Sequence, residues 1–169
     1  MIRTLTPADT EAFVALRYQA FTTDPLSWDH DPGTPIDPEV WAPRLEEVPG
    51  LKFVLGYFLT EDREMPELAG VMGFTRFERI KRRHRSELWG VYVSPAARGR
   101  GVAAQLLEET LRRARQLEGL ERITLAVSNR APAALHLYGK VGFVEFGREP
   151  GAARTGDVQM DEIHMLLDL

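Results

Sequence analysis

Glu87-Leu88-Trp89-Gly90-Val91-Tyr92-Val93-Ser94-Pro95-Ala96-Ala97-Arg98-Gly99-Arg100-Gly101-Val102-Ala103 reads as a strand that runs through a basic glycine turn into a helix. The strand part is rich in β-branched and aromatic residues, which favour a pleated surface. At Gly101 the period switches. Val102, Leu106, Leu107, Leu111 and Ala114 fall on one helical stripe over 101–116, and Gly119 is expected to close the helix as its C-cap. Between strand and helix, the glycines let backbone N–H groups converge without a Cβ in the way. The helix N-terminus adds its dipole, and Arg98 and Arg100 supply positive charge. Such a turn suits a phosphate.

Several phosphate-binding patterns compete for this turn. A Walker loop needs Gly-Lys followed by Ser or Thr, and Arg100-Gly101-Val102 offers neither the lysine nor the hydroxyl. Gly99 to Ala104 does satisfy the dinucleotide pattern G-x-G-x-x-A. That site, however, wants an acid about 20 residues on at the end of the next strand, where this chain has Val127-Ser128-Asn129. The strands upstream also follow one another without intervening helices. A helix-starting turn that binds nothing would leave two arginines beside bare N–H groups to no purpose.

Working outward, Leu51 to Leu59, Leu68 to Phe77 and Ser86 to Val93 form an antiparallel meander separated by charged turns. Ile2 to Leu5 is a short strand, and Thr6-Pro7-Ala8-Asp9 supplies an N-cap, a proline at N1 and an acid at N3 for the helix that follows. Phe13, Leu16, Ala20 and Phe21 keep helical spacing and are read as core. Six prolines punctuate 22–50. One short helix fits there, started by Asp37-Pro38-Glu39 and limited by Pro43 or Pro49, which leaves 22–36 as a long functional loop. After the glycine-turn helix come a buried strand over 122–127, a helix over 132–140 capped by Gly142, and a final strand pair over 143–146 and 162–167.

With 169 residues the chain is read as one domain, 1–169. A charged fraction of 27% and a net charge of -4 give no ground for a membrane partner and make nucleic acid unexpected. The chain has no cysteine, which excludes disulfides and thiolate chemistry and fits a cytoplasmic setting. No stretch approaches the length of a membrane span.

Arg98-x-x-Gly101-x-Ala103 after Val91-Tyr92-Val93 resembles the coenzyme A pyrophosphate motif of the GNAT acetyltransferase family. Asn129 to Phe143, with Leu137-Tyr138-x-Lys140-x-Gly142-Phe143, resembles that family's later N-x-x-A-x-x-L-Y-x-K-x-G-F segment. The similarity covers essentially the whole chain. It implies an α/β (α+β) GNAT fold: a mixed, mostly antiparallel sheet of about seven strands flanked by about four helices. It also implies an N-acetyltransferase with acetyl-CoA as co-substrate. The Val91-Tyr92-Val93 strand end would then meet the pantetheine and acetyl carbonyl through the backbone of Val91 and Val93. Arg98, Gly99, Arg100, Gly101, Val102 and Ala103 would cradle the pyrophosphate. Asn129 would sit beside the pantetheine arm or simply end its strand as a turn residue.

Transfer from a thioester to an amine needs a proton acceptor, an oxyanion donor and a proton for the leaving thiolate. Glu87 is the candidate base, on the expectation that strand alternation turns 87, 89, 91 and 93 to one face. The alternative is a surface carboxylate paired with Arg85. The position where other members of the family carry a base is Ala126 here. Tyr138 is the candidate acid, as the family uses its matching tyrosine, or else a packed helix aromatic. The oxyanion donor would be the N–H of Val91 or Val93. Trp28, Trp89 and His84 are candidate acceptor contacts. Counting over 22–50 gives seven acids against one arginine, which suits a cationic amine, whereas Arg79, Lys81, Arg82, Arg83 and Arg85 make a basic hairpin tip. His30, His84, His136 and His164 show no ligand spacing, so no metal is assigned. The expected acceptor is a primary amine of a small molecule, peptide or protein, and a homodimer is compatible with these features. A non-catalytic acyl-CoA sensor is the alternative function.

Overall fold

A computed structural model of the chain describes residues 1–30, 33–59 and 66–169. Its elements run β1 (Ile2–Thr4), α1 (Thr10–Thr23), α2 (Pro38–Leu45), β2 (Lys52–Leu59), β3 (Glu67–Arg76), β4 (Arg85–Val93), α3 (Val102–Ala114), β5 (Arg122–Ser128), α4 (Pro132–Val141), β6 (Val144–Thr155) and β7 (Val158–Asp168). The strands form one sheet in the order β1-β2-β3-β4-β5-β7-β6. All neighbours are antiparallel except β4 and β5. Among the described residues, seven strands in one mixed, mostly antiparallel sheet with α1 to α4 around it are the arrangement that the resemblance implies.

The sheet carries a core on each face. Phe13, Leu16 and Ala20 of α1 and Leu45 of α2 pack with Val54, Phe58 and Val71. On the other face Val102, Leu106, Leu107 and Leu111 of α3 and Tyr138 of α4 pack with Leu55, Met72, Phe74 and Ile123. The amphipathic stripes of α1 and α3 thus cover opposite sides, as the apolar spacing of each dictates. At the start of α1 the Asp9 carboxylate accepts from the Thr6 amide at 2.8 Å and is gripped by both Arg3 Nη groups at 2.8 and 2.6 Å. The cap therefore ties the helix entry to β1.

β4 and β5 separate after a brief parallel pairing of Arg85–Glu87 with Arg122–Thr124. Their divergence is linked to a bulge in β4. Trp89 faces Gly73 and Tyr92 faces Val71, so Gly90 and Val91 together oppose the single residue Met72. Gly90 takes φ +63, a conformation that any Cβ would strain. The extra residue reverses side-chain parity. Trp89 and Tyr92 pack into the α1 core, while Leu88, Val91 and Val93 pack into the α3 core. Residues 87, 89, 91 and 93 therefore do not share a face: Glu87 and Trp89 look toward α1, Val91 and Val93 toward α3.

Other sequence expectations are corrected in detail. α2 runs through Pro43 to Leu45: Asp37 caps it by accepting from the Glu39 amide at 2.9 Å, and Pro43, beyond the first turn, removes a backbone donor, so that the helix ends two residues later. α3 ends at Ala114 with Arg115 as C-cap, and Gly119 turns the following loop at φ +68. Phe21 is half-buried and stacks on His30 at 3.9 Å, so it lies outside the buried core. The final hairpin is far longer than 143–146 and 162–167, turning at Gly156 with φ +57. β6 is a mostly exposed edge strand containing Pro150-Gly151, a composition that hides a strand and that edges tolerate.

Candidate active site

The splayed ends of β4 and β5 frame two connected cavities. The larger, about 700 Å³, runs from the start of α3 past the β4 end to α4. The other lies toward β5, β7 and the 26–29 segment. Trp28, Val91 and Tyr138 line both, so these residues stand at the junction.

At the α3 end, Gly99 and Gly101 take φ +74 and +72. A Cβ on Gly99 would meet nothing within 4 Å, so it is backbone conformation and not crowding that requires glycine there. Gly101 is the N-cap and provides no side-chain cap, which leaves the first amides of α3 for a ligand. Val102 and Ala103 line the same cleft. Arg100 is exposed and lies outside the lining. Arg98 lines the cleft, but its guanidinium is turned to the end of α1. Nε donates to the Val93 carbonyl at 3.0 Å, Nη2 pairs with Asp24, and the group lies 5.6 Å from the Tyr92 ring. The Val93 carbonyl is thus engaged within the protein.

Tyr138 is buried and lines both cavities, and its hydroxyl has no hydrogen-bond partner among the described residues. Burial pushes its phenol pKa up, which keeps the proton on at neutral pH. Glu87 lines neither cavity. It is exposed on the α1 face of β4 and forms no ion pair with Arg85 among the described residues. Partial desolvation, and secondly the charge of Glu162, raise its pKa. Glu162 itself lines the second cavity with Asp29 and Asp161. Asp161 is already held by Arg148 at 3.3 Å and the Gly151 amide at 3.0 Å.

Asn129 serves the β5–β7 join. Its side-chain oxygen accepts from the Asp161 amide at 3.1 Å, and it lines neither cavity. His84 lies at the opposite end of β4, where its carbonyl accepts from the amides of Glu121 and Arg122, away from both cavities. The basic hairpin tip is braced there as well: Arg76 donates to the carbonyls of Arg83 at 2.5 Å and Glu118 at 2.9 Å.

Trp28 and Trp89 do face the second cavity. The Trp89 indole donates to Thr75 Oγ1 at 2.9 Å. Around them the sequence reading missed Arg17. It occupies the same helical stripe as Phe13 and Phe21, and an arginine on an otherwise apolar stripe was the available signal. Its guanidinium carbon lies 4.8 Å from the Trp41 ring and 5.2 Å from that of Trp28. Burial, with the nearby charge of Arg44, lowers its pKa to about 10.

Cross-strand geometry also gathers Glu149, Glu162 and His164, whose ligand atoms lie within 4.8 Å of one another, although sequence spacing hid them. Among the described residues no helix is long and apolar enough to cross a membrane.

A sequence model described as Acetyltransferase (GNAT) family matches residues 17–143. YwnH of Bacillus subtilis (strain 168), provisionally named a phosphinothricin acetyltransferase, is 29% identical over 153 residues, covering 90% of this chain and 89% of its own. The crystal structure of an acetyltransferase of GNAT family from Streptococcus pneumoniae matches with a TM-score of 0.86 at 27% identity, over 100% of this chain and 99% of that one. The GNAT superfamily phosphinothricin acetyltransferase of Sinorhizobium meliloti, solved in complex with AcCoA, shares the fold. Its TM-score is 0.81 at 20% identity, over 100% of this chain and 88% of that one.

Proposed function

Because the chain belongs to the acetyltransferase (GNAT) family, we propose that this enzyme transfers the acetyl group of acetyl-CoA to a primary amine by direct attack on the thioester. We read residues 1–169 as one acetyltransferase domain, since its seven strands make one continuous sheet.

The observation that carries the reading is the position of Tyr138. A buried, protonated phenol with no hydrogen-bond partner among the described residues stands where the cleft at the α3 turn meets the cavity beside Trp28 and Trp89. The chemistry of the cleft fits the cofactor. Uncapped amides at Gly101 and the bare Gly99 suit a pyrophosphate, and Val91 presents backbone at the junction. Acetyl-CoA, when bound, supplies the activated acyl group.

In this mechanism Val102, Ala103 and the glycine turn hold phosphate, with Arg98 at the cleft mouth and Arg100 adding exposed charge. Val91 or Val93 offers an N–H where negative charge develops, a donor fixed in advance by the β4 bulge. Tyr138 gives its proton to the departing sulfur. An amine with pKa about 10.4 arrives protonated, so a base is required. Glu87 takes that proton through water, since it lies outside the cavity lining, and its raised pKa improves its match to the task. Trp28 and Trp89 wall the acceptor.

Titration calorimetry with acetyl-CoA, followed by a free-thiol assay over polyamines, amino acids, aminoglycosides and short peptides, tests the proposal. Tyr138→Phe is expected to leave acetyl-CoA affinity intact and to lower kcat about 100-fold or more. Cofactor binding without thiol release for any amine would identify a sensor instead.

A further inference from the structure

The terminal hairpin sets two carboxylates of like charge directly opposite each other. Glu149 of β6 stands in register with Glu162 of β7, so both side chains leave the same face. His164 follows two residues after Glu162 and shares that face by strand alternation. The three donor atoms lie within 4.8 Å of one another, and no other trio of acidic and histidine side chains among the described residues comes so close.

No cation of the protein relieves this opposition. The other acids of the two strands are neutralised, Glu145 and Asp161 by Arg148 and Asp168 by Arg122. Neither Glu149 nor Glu162 pairs with a lysine or arginine among the described residues. Their one neighbour is the imidazole, with His164 Nε2 at 3.5 Å from Glu162 Oε1. Like charges facing each other across an antiparallel pair are destabilising unless positive charge lies between them.

Room for an ion is built into the same face. The residues in register with His164 are Ala126 on β5 and Gly147 on β6, the two smallest side chains available. A Cβ on Gly147 would reach the imidazole Cδ2 at 3.9 Å, so the ring borders bare backbone and keeps freedom to turn. Donors bound to one ion at about 2.0 to 2.2 Å stand roughly 3 to 4 Å apart, and a small rotamer change closes the set. The side chains of Glu162 and His164 are 44% and 35% exposed, which leaves a path from solvent.

We propose that Glu149, Glu162 and His164 bind a divalent transition-metal ion such as zinc through two carboxylate oxygens and one imidazole nitrogen, with water completing the coordination. An imidazole among the donors favours zinc, cobalt and nickel over magnesium and calcium, which take oxygen ligands. The ion offsets the facing glutamates and ties the edge strand β6 to β7. None of the three residues lines the cleft at the α3 turn, so the site stands independently of the acetyltransferase reading.

The test uses the whole untagged chain, freed of metal by a chelator, with neither acetyl-CoA nor acceptor present. Calorimetry with Zn2+ and with Mg2+ compares the wild type with Glu149→Gln, Glu162→Gln and His164→Gln, and with His84→Gln as a reference. Visible absorption of added Co2+ reports the donor set, and circular dichroism of the metal-free variants reports their folding.

The expected result is one Zn2+ per chain and a Tm that rises with Zn2+ concentration. Each of the three site variants, folded as the wild type, should bind Zn2+ about 10-fold or more weakly, since even groups behind a ligand cost that much. His84→Gln should bind as the wild type does, and the Co2+ bands should be lost in His164→Gln. The proposal is overturned if the wild type takes up no stoichiometric Zn2+, or if the three site variants bind it undiminished, which would mark an adventitious ion only. Mg2+ binding as tight as Zn2+ would overturn it too, leaving a patch of surface carboxylates.

Discussion

The indole of Trp89 packs onto the bare Cα of Gly73 across the β3–β4 pair: a Cβ on that glycine would stand 2.3 Å from the ring. This wall of the cavity beside β5 and β7 is therefore positioned by the absence of a side chain on the neighbouring strand. Gly73→Ala must push the indole off its Thr75 bond and into the cavity, since backbone on the other side cannot yield. The acceptor KM is expected to rise about 10-fold or more, the scale of a misplaced positioning group, with acetyl-CoA affinity unchanged. Paired calorimetry and steady-state kinetics would show it. Stability should fall by about 1–3 kcal/mol from overpacking.

Asp24, at the C-cap of α1, holds Arg98 away from the glycine turn. Asp24→Asn frees the guanidinium and removes a negative charge from the cleft mouth. Acetyl-CoA should bind about two- to fivefold more tightly, the range set by a partly exposed ion pair. The gain should shrink at high salt. A weaker cofactor affinity would instead give Asp24 a supporting role for Arg98.

Glu87 has a folded-state pKa above the ordinary carboxylate value. The folded protein therefore keeps this proton to higher pH than the unfolded chain does, and Glu87's contribution to stability declines as pH rises through its titration. Glu87→Gln, which cannot ionise, should be at least as stable as the wild type at pH 7, while kcat drops about 100-fold and the acid limb of the rate profile disappears. Urea unfolding and a pH series with one acceptor would check both halves.

Asp9 behaves in the opposite sense. The Arg3 guanidinium, with the Thr6 amide and hydroxyl, lowers its pKa to about 2. The bond is at full strength above the unfolded pKa near 4 and is lost as pH falls through about 2. Asp9→Asn should cost about 1 kcal/mol at neutral pH, as for a lost helix cap, and the gap to the wild type should close on acidification. Chemical denaturation at neutral and acid pH measures this directly.

Much of the architecture is written in short windows of the chain. The run from Val91 to Ala103 fixes a strand, a left-handed glycine turn and a helix start, because φ preferences and cap chemistry act over a few residues. The stripe of α3 and the Gly142 cap that ends the Tyr138 helix are local in the same way. They locate the proposed cofactor cleft and one of the two proposed proton carriers.

What the sequence could not fix depends on residues far apart. Whether Trp89 and Val91 share a face is decided by a bulge, and a bulge exists only against a partner strand, here at Met72. The orientation of Arg98 was set by Asp24, 74 positions away. The enclosure of Arg17 needs α1, the 28–30 segment, α2 and β4 together, which no periodicity encodes. Local sterics and hydrogen bonding determined the elements; side-chain parity, charge pairing and burial were decided by packing across the sheet.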